Sequence, residues 1–340
     1  MSPSYPLFFR SDDGLWQQPI PIYLSAIFGA LAPILVGAVD VVLIYVATSR
    51  LLKSRRMAVI AAAMLLLFPA HLIFSRQTVD AIYPLPFVIA WLIALLTFLD
   101  RPRPPQINTV KFHTWLLVVG GLCLGIGVYT QPSAPITMAA FLIVTFGTLL
   151  LEGHRQPAVF AATAAGFAVP LLLMAPWFAM HPETYQDTMG AWAIHKAHIR
   201  FPLDGVRAFL NWNTLGTRAS LYWEVFNPSF LLFRDEGGTF SRMAPMLVAV
   251  AVLVPIGAKR LLTGNRAAVG FLLLAGLAVS PLAASTFGER HALHRALPMV
   301  VFLSLLATSG ALQLIESRRA AVRFAGIALL VFIPLQYLFG

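Results

Sequence analysis

Residues 51–100 read LLKSRRMAVIAAAMLLLFPAHLIFSRQTVDAIYPLPFVIAWLIALLTFLD. This stretch contains two apolar runs, 57–74 and 82–99, and neither run includes Asp, Glu, Lys or Arg. A helix that crosses the hydrocarbon core of a bilayer, about 30 Å thick, needs roughly 20 mostly apolar residues. Both runs come close to that length, and a short polar connection separates them. The stretch therefore predicts two membrane-spanning helices joined by a turn.

The composition extends this interpretation to the whole chain. Of its 340 residues, 59% are hydrophobic and only 11% are charged, and the mean hydropathy is +0.78. Helices satisfy their backbone hydrogen bonds internally, as lipid requires, and the long continuous runs lack the alternation of barrel strands. The formal net charge of +10 does not indicate nucleic-acid binding, because the basic residues are scattered between apolar runs. We predict an all-α polytopic membrane protein.

Runs of suitable length predict about ten transmembrane helices. Residues 1–31 are predicted to form an external leader and juxtamembrane segment, and 179–242 an external amphipathic loop. This loop separates a six-helix membrane block over 32–178 from a four-helix membrane block over 243–340. The ten runs are 32–49, 57–74, 82–99, 114–130, 134–151, 157–178, 243–258, 267–286, 296–315 and 324–340.

The basic residues of the short loops predict an orientation. They concentrate in alternate loops, which the positive-inside rule places in the cytoplasm. The opposite, outer side then holds the leader, the turn with Asp80, the loop 179–242 and the segment 287–295. The cytoplasmic set comprises Arg50, Lys53, Arg55, Arg56, Arg101, Arg103, Lys111, Arg155, Lys259, Arg260, Arg266, Arg318, Arg319 and Arg323.

Several segments, taken together with residues 51–100, resemble one family of membrane enzymes. They are RSDDGLWQQPIPIYL at 10–24, GGLCLGIGVYTQPSAPI at 120–136, NPSFLLFRDEGG at 227–238 and HALHRALPMVVFLSLLA at 291–307. In this order they resemble the C-type (GT-C) glycosyltransferase superfamily. The specific resemblance is to the bacterial dolichyl-phosphate-mannose protein mannosyltransferase-like enzymes of family 39.

The resemblance implies an activity and a location. The chain would be an inverting, mannosyltransferase-like enzyme that moves a sugar from a polyprenyl-phosphate donor to an acceptor hydroxyl. Its location would be the bacterial inner membrane, with the catalytic face outward in the periplasm. Because the family begins with a further transmembrane helix, we expect this chain to be truncated at its start. Membrane lipids and other membrane-complex proteins are the expected partners beside the donor.

The acidic pair Asp12-Asp13 lies in the leader. In the resembling enzymes an acid of this loop acts as base on the acceptor hydroxyl, which implies Asp12 as the catalytic base and Asp13 as its support. A partly desolvated carboxylate has a raised pKa and accepts a proton more readily, and repulsion between adjacent acids acts in the same direction. The alternative is an ordinary solvated turn over Asp12, Asp13 and Gly14.

The other candidate site residues are predicted to bind the phosphate of the donor lipid. Arg76 suits forked contact with phosphate oxygens, and its alternative role is a snorkelling interface anchor. Asp80 is a second acid, a metal ligand or an ion-pair partner of Arg76. A third group shares one helix face if the segment is helical, and it binds either one anion or lipid headgroups. This group is His291, His294 and Arg295.

Other features of the sequence point to packing instead of chemistry. The single Cys123 excludes a disulfide framework and a cysteine metal site, and there is no P-loop or dinucleotide fingerprint. His and carboxylate side chains are good ligands for a divalent metal ion, but the sequence has no HExxH-like signature. The sequence therefore does not decide whether the protein depends on a metal ion. Asp40 lies in the first apolar run with no basic residue nearby in sequence, so we assign it to helix packing. The spaced glycines of 120–127 predict close helix contact.

The sequence is therefore compatible with two functions from different classes. The first is the glycosyltransferase, which the acidic pair favours. The second is a catalytically silent relative that serves as a structural subunit of a larger membrane complex, which a missing first helix favours. A transporter is not supported, because there is no inverted repeat and the polar residues crowd one side of the membrane instead of its midplane.

The predicted orientation is testable by cysteine labelling. Single cysteines at outer positions should react with a membrane-impermeant thiol reagent in intact cells, and those at cytoplasmic positions should be protected. Labelling at Arg55→Cys together with protection at Asp80→Cys would reverse the orientation. The outer positions are Asp12, Asp80 and His291, and the cytoplasmic positions are Arg55, Arg103 and Arg318.

Overall fold

The computed structural model describes residues 6–11, 16–100, 114–192, 212–233, 244–264, 266–288 and 290–339. Across these ranges the regular elements are helices, apart from one small antiparallel hairpin. The predicted all-α fold class is confirmed in this sense. The hairpin was not predicted, because the apolar-run pattern that indicates spans gives no information about so short a pairing.

The hairpin lies at the start of the chain and leads directly into the first helix. Strand β1 (Phe9–Arg10) pairs with strand β2 (Trp16–Gln17), and Gln18 connects the second strand to helix α1 (Pro19–Phe28). Pro19 occupies the first helical position, where a missing backbone N–H leaves no hydrogen bond unmade. The leader is thus a folded element and continuous with the membrane helices.

The remaining helices follow in chain order. The run predicted as one span over 57–74 is divided at Pro69, because proline lacks an N–H and the residue before it avoids helical backbone. Turns of 3-10 helix cover Gly29–Leu31, Asp80–Ile82 and Trp212–Thr214. The helices are α2 (Ala32–Leu52), α3 (Arg55–Leu66), α4 (Pro69–Phe74), α5 (Pro84–Leu99), α6 (Thr114–Gly127), α7 (Ala134–Leu151), α8 (Pro157–Leu171), α9 (Met174–Met180), α10 (Pro182–Trp192), α11 (Leu215–Val225), α12 (Pro228–Leu232), α13 (Val248–Thr263), α14 (Ala267–Val279), α15 (Leu282–Phe287), α16 (Leu293–Ala296), α17 (Met299–Ile315) and α18 (Ala320–Phe339).

Six helical stretches within the described ranges are long and apolar enough to cross a membrane. Helices α6 and α17 are apolar but shorter. The chain is therefore an integral membrane protein, and the prediction of about ten transmembrane helices is not confirmed. The six stretches are Pro19–Leu52, Asp80–Leu99, Ala134–Leu151, Pro157–Met180, Ala267–Phe287 and Ala320–Tyr337.

Helix α17 forms the centre of the bundle. Every residue from Met299 to Leu312 is buried, which is typical of a helix that is apolar on all sides. Helices α3, α13, α14 and α18 pack around it. This arrangement explains why α17 needs no exposed lipid face although its composition resembles that of a membrane span.

Glycines allow the closest helix crossings. A Cβ atom added to Gly257 of α13 would lie 1.8 Å from the carbonyl oxygen of Leu306, and one added to Gly310 of α17 would lie 2.1 Å from that of Leu253. Small residues allow this backbone contact, which drives helix association in lipid. Gly121 allows the same close backbone contact where α6 crosses α8. The packing role predicted for the glycines of 120–127 is thereby confirmed.

One end of the bundle is held together by ion pairs. Asp100, after α5, contacts Lys53, after α2, and also accepts from the Nη2 of Arg266 at 3.2 Å. Arg266, just before α14, donates from Nη1 to the carbonyl oxygen of Leu51 at 3.0 Å. The loops that the basic residues assigned to one side of the membrane therefore meet at one end of the bundle.

The buried Asp40 of α2 has a partner that its sequence neighbourhood does not show. His71 of α4 places Nε2 3.5 Å from Asp40 Oδ2, and both side chains are buried. This distance is longer than a normal hydrogen bond, and neither side chain makes one to another residue that the structure describes. The interpretation of Asp40 as a residue of helix packing therefore gains a specific contact, because this pair joins α2 to α4.

Removing one partner of this pair should destabilise the fold more than replacing both. His71→Leu leaves the buried Asp40 carboxyl without the neighbouring imidazole, and a buried polar group left without its partner typically costs about 1–3 kcal/mol. Asp40→Val combined with His71→Leu makes the contact apolar, and we expect it to regain most of that loss. Thermal unfolding of the purified variants in one detergent measures both effects. A double variant no more stable than His71→Leu would contradict this account.

Candidate functional site

The structure describes how the leader is attached to the helix bundle. Asp12 and Asp13, the predicted catalytic residues, lie outside the described residues. The strands on either side of them, β1 and β2, are described and are held to the helices by the contacts below. The candidate site is therefore built from this attachment and from the polar groups that share its end of the bundle.

The first attachment is aromatic. Phe8, directly before β1, is only 3% exposed. Its ring centroid lies 6.3 Å from that of Tyr129, 5.9 Å from that of Trp177 and 5.8 Å from that of Phe178. Such ring contacts contribute about 0.5–1.5 kcal/mol each beyond the burial of area. Phe8 thus joins the leader to the turn between α6 and α7 and to helix α9.

The second attachment is polar and uses Asp187 of α10. The indole Nε1 of Trp16 donates to Asp187 Oδ2 at 3.1 Å, and Arg10 Nη2 lies 3.5 Å from the same oxygen. The guanidinium carbon of Arg10 also lies 5.8 Å from the centroid of the Trp16 ring. One carboxylate therefore holds a residue from each strand of the hairpin. Trp16 and Asp187 are 171 residues apart, and sequence reasoning gave Asp187 no such role.

The start of α10 carries a further acid that remains ionised. Glu183 Oε1 lies 3.2 Å from His181 Nδ1. A backbone hydrogen bond lowers the pKa of the Glu183 carboxyl, and the neighbouring His181 and Arg10 act in the same direction. Negative charge near the first turn of a helix is also stabilised by the helix dipole. This part of the leader's surroundings therefore carries fixed negative charge at neutral pH.

The structure brings three of the predicted phosphate-binding residues into one neighbourhood. Asp80 begins a 3-10 turn, Asp80–Ile82, that contacts α16, the short helix carrying His294 and Arg295. Arg295 is 4% exposed, and its guanidinium carbon lies 4.4 Å from the ring centroid of Phe287. Asp80, His294 and Arg295 thus belong to one neighbourhood. Arg76 is exposed and follows the end of α4, so it does not share a helical turn with Asp80.

His291 departs from the helical spacing that the sequence suggested. It precedes α16 and has a left-handed backbone with φ of 52°. Its ring stacks on Phe230 with centroids 4.5 Å apart, and its Nε2 lies 3.6 Å from Glu224 Oε1. His291 therefore contacts α11 and α12, because the chain turns before the helix begins. Its role in binding phosphate stays a prediction.

Helix α1 connects the leader attachment to the Asp80 turn. The N–H of Ile20 donates to the carbonyl oxygen of Tyr129 at 3.3 Å, close to the ring contact of Phe8. Further along α1, the hydroxyl of Ser25 lies 3.5 Å from that of Tyr83, which follows the Asp80–Ile82 turn. The two neighbourhoods therefore lie along one helix. Among the residues with described positions, no group of three His, Cys, Asp or Glu residues is arranged to hold a metal ion.

Comparison with known proteins gives one remote likeness. No family model and no curated protein matches this sequence. Among solved structures, the chain is similar to the apo crystal structure of the Archaeoglobus fulgidus oligosaccharyltransferase, with 12% sequence identity and a TM-score of 0.47. The match covers 94% of this chain, which spans only 46% of that one. A likeness this remote assigns no residue of this chain to a role.

The attachment through Asp187 is testable without an activity assay. Asp187→Ala removes the acceptor for Trp16 and the ion-pair partner of Arg10, so the leader should open more often. A hydrogen bond to a charged group contributes about 1.5–3 kcal/mol, and the partial exposure of this pair reduces that value. We expect amide hydrogen exchange in the leader to quicken about tenfold, which corresponds to about 1.4 kcal/mol.

The matched control is Asp100→Ala, which removes a paired carboxylate from the opposite end of the bundle. This variant should leave exchange in the leader unchanged and alter it only near Lys53 and Arg266. Equal exchange in the leader of the Asp187→Ala variant and the unmodified protein would show that the aromatic contacts of Phe8 alone hold the leader.

Proposed function

We propose that this chain is a membrane glycosyltransferase of the C-type fold. It transfers a sugar from a polyprenyl-phosphate donor to an acceptor hydroxyl at the outer face of the membrane. The observation that supports this most is the tethering of both leader strands, which lie on either side of Asp12 and Asp13 in sequence. An acidic pair in an unstructured tail would need no such attachment. The resemblance of residues 10–24 to the first external loop of family 39 enzymes agrees with this role.

The proposed reaction is a single displacement. Asp12 takes the proton of the acceptor hydroxyl, and the acceptor oxygen forms a bond to the anomeric carbon of the donor sugar. The bond between that carbon and the phosphate oxygen breaks, and its electron pair leaves with the polyprenyl phosphate. Because attack and departure occur on opposite faces, the configuration inverts. Asp13 keeps the proton affinity of Asp12 high through like-charge repulsion.

The donor's phosphate is proposed to bind near Arg295. A buried guanidinium interacts with an anion more strongly than an exposed one, because the surrounding dielectric constant is lower. The same neighbourhood contains His294 and Asp80, and α1 joins it to the leader. Arg76, which is exposed, is proposed to meet the phosphate from the membrane surface. The polyprenyl chain then lies in the lipid beside the bundle.

The catalytic proposal predicts a selective loss of turnover. Asp12→Asn should slow sugar transfer from a polyprenyl-phosphate donor by about 10²–10⁴-fold, the usual contribution of a positioned general base. Asp13→Asn should cost less, because its role is support. Donor binding and thermal stability should stay unchanged in both variants. Transfer of radiolabelled sugar by the purified protein measures turnover.

The matched control is Glu316→Gln, which neutralises an exposed acid paired with Arg260 at 3.0 Å. Exposed ion pairs contribute little to stability, so this variant should keep full activity. Transfer that survives both leader substitutions would remove the acidic pair from the mechanism. A folded protein that binds no donor and transfers no sugar would favour the alternative, a structural subunit of a larger membrane complex.

A further inference from the structure

A group of buried polar side chains next to the leader has no hydrogen-bond partner among the residues that the structure describes. Gln131 is 1% exposed, and neither its Nε2 nor its Oε1 makes a hydrogen bond. The hydroxyls of Ser133 and Thr137, which are 0% and 1% exposed, also lack a partner. So does Oε1 of Gln18, whose residue is 8% exposed. These four residues are called the amide–hydroxyl cluster below.

Backbone contacts place the members of the cluster near one another. Gln131 and Ser133 belong to one tight turn, in which the N–H of Ala134 donates to the carbonyl oxygen of Gln131 at 3.0 Å. Thr137 follows Ser133 by four residues and so lies above it on the same face of α7. Gln18 comes two residues before Ile20, whose N–H donates to the carbonyl of Tyr129 in the same turn region.

The hydroxyls on either side of the cluster along the chain do have partners. Deeper in α7, Thr145 and Thr148 each donate to the carbonyl four residues earlier, both at 2.8 Å. Just before the cluster, Thr130 donates to the carbonyl of Gly127 at 2.6 Å. Thr137 makes no such bond, although a carbonyl is available one turn earlier in the helix. Its hydroxyl is therefore left for a partner outside the backbone.

Buried polar groups without a hydrogen bond indicate a site that binds a water molecule or a ligand. Burial removes water from an amide or hydroxyl, and without a new hydrogen bond this loss is not recovered. The large majority of buried side-chain polar atoms in proteins have a partner, which is often an ordered water. Several unpartnered atoms at one turn are therefore the observation from which a bound molecule is inferred.

The chemistry of the cluster identifies the class of occupant. The side-chain amides and hydroxyls supply both donors and acceptors, and no member of the cluster is charged. A phosphate would require cations or several donors without acceptors, and an acyl chain would require no polar group. Sugar hydroxyls donate and accept at neighbouring positions, as this group does. We propose that the amide–hydroxyl cluster binds the hydroxyl groups of a neutral pyranose.

This inference rests on the proposed function and names the substrate group that its site would recognise. Strand β2 ends at Gln17, so Gln18 connects the tethered leader to the cluster. A sugar held there would lie beside Gln18, the residue that follows the tethered strand β2. The sugar could belong to the donor or to a glycan acceptor, since both present the same hydroxyl chemistry.

Binding measurements on the full chain in nanodiscs test the inference. The probes are short polyprenyl phosphates that carry mannose, glucose, galactose or N-acetylglucosamine, and the bare polyprenyl phosphate of equal chain length. Methyl glycosides of the same sugars, without any lipid, probe the acceptor source. We expect at least one sugar-bearing lipid to bind about tenfold more tightly than the bare lipid, or one methyl glycoside to bind measurably.

The test variant is Gln131→Met combined with Thr137→Val, which removes three of the unpartnered polar atoms at nearly constant volume. It should abolish the preference for the sugar while binding of the bare lipid stays unchanged. The control is Ser309→Ala, which removes an equally buried and unpartnered hydroxyl from α17. It should retain the preference, since α17 contributes no residue to the cluster.

The outcomes separate this inference from the proposed function. Full sugar preference in the Gln131→Met/Thr137→Val variant, or no preference for any sugar in the unmodified protein, would show that the cluster holds water only. Binding of bare and sugar-bearing lipids with equal affinity would contradict a sugar site at the cluster but would still agree with the proposed donor site. Failure to bind any polyprenyl phosphate would contradict the proposed function. Binding of a methyl glycoside in that case would still support a sugar site at the cluster.

Discussion

The absence of water from the bilayer core is the constraint on which this structure depends. Each backbone polar group must pair internally, and helices gain nothing hydrophobic by leaving lipid for one another. Close van der Waals contact has to hold the bundle together, and glycine allows it where α13 crosses α17. Because α17 is buried on all sides, the helices around it are fixed relative to one another. Their ends on the side of Phe8, Tyr129 and Asp187 consequently form a frame for the leader.

The same constraint makes each buried polar group informative. Burying the hydroxyls of Thr145 and Thr148 costs little free energy, because each donates a hydrogen bond to a carbonyl of its own helix. Asp40 and His71 lie 3.5 Å apart at the junction of α2 and α4 and make no hydrogen bond to a described residue. The amide–hydroxyl cluster likewise has no hydrogen-bond partner in the described part of the chain. It differs from that pair in its place beside the leader, which is the ground for proposing that it binds a ligand.

The sequence predicts local properties of this chain well and non-local ones poorly. Apolar runs indicate the helices because length and hydrophobicity are properties of consecutive residues, and Pro69 shows how one residue divides such a run. The partner of Asp40 was missed because His71 is on another helix, and nothing in a hydropathy pattern encodes their contact. Asp187 was missed for the same reason. Trp16 and Asp187 are separated by 171 residues, and no local pattern in the sequence relates them.

The leader illustrates why this non-local information matters for chemistry. Two strands of two residues each are far too short to be stable alone. Their geometry must come from Phe8 on the α9 aromatics and from Asp187 on both strands. Both strands therefore depend on α9 and α10 for their position. The catalytic role proposed for the acidic pair needs such support, because catalytic groups act best when rigid elements hold them close to the productive geometry.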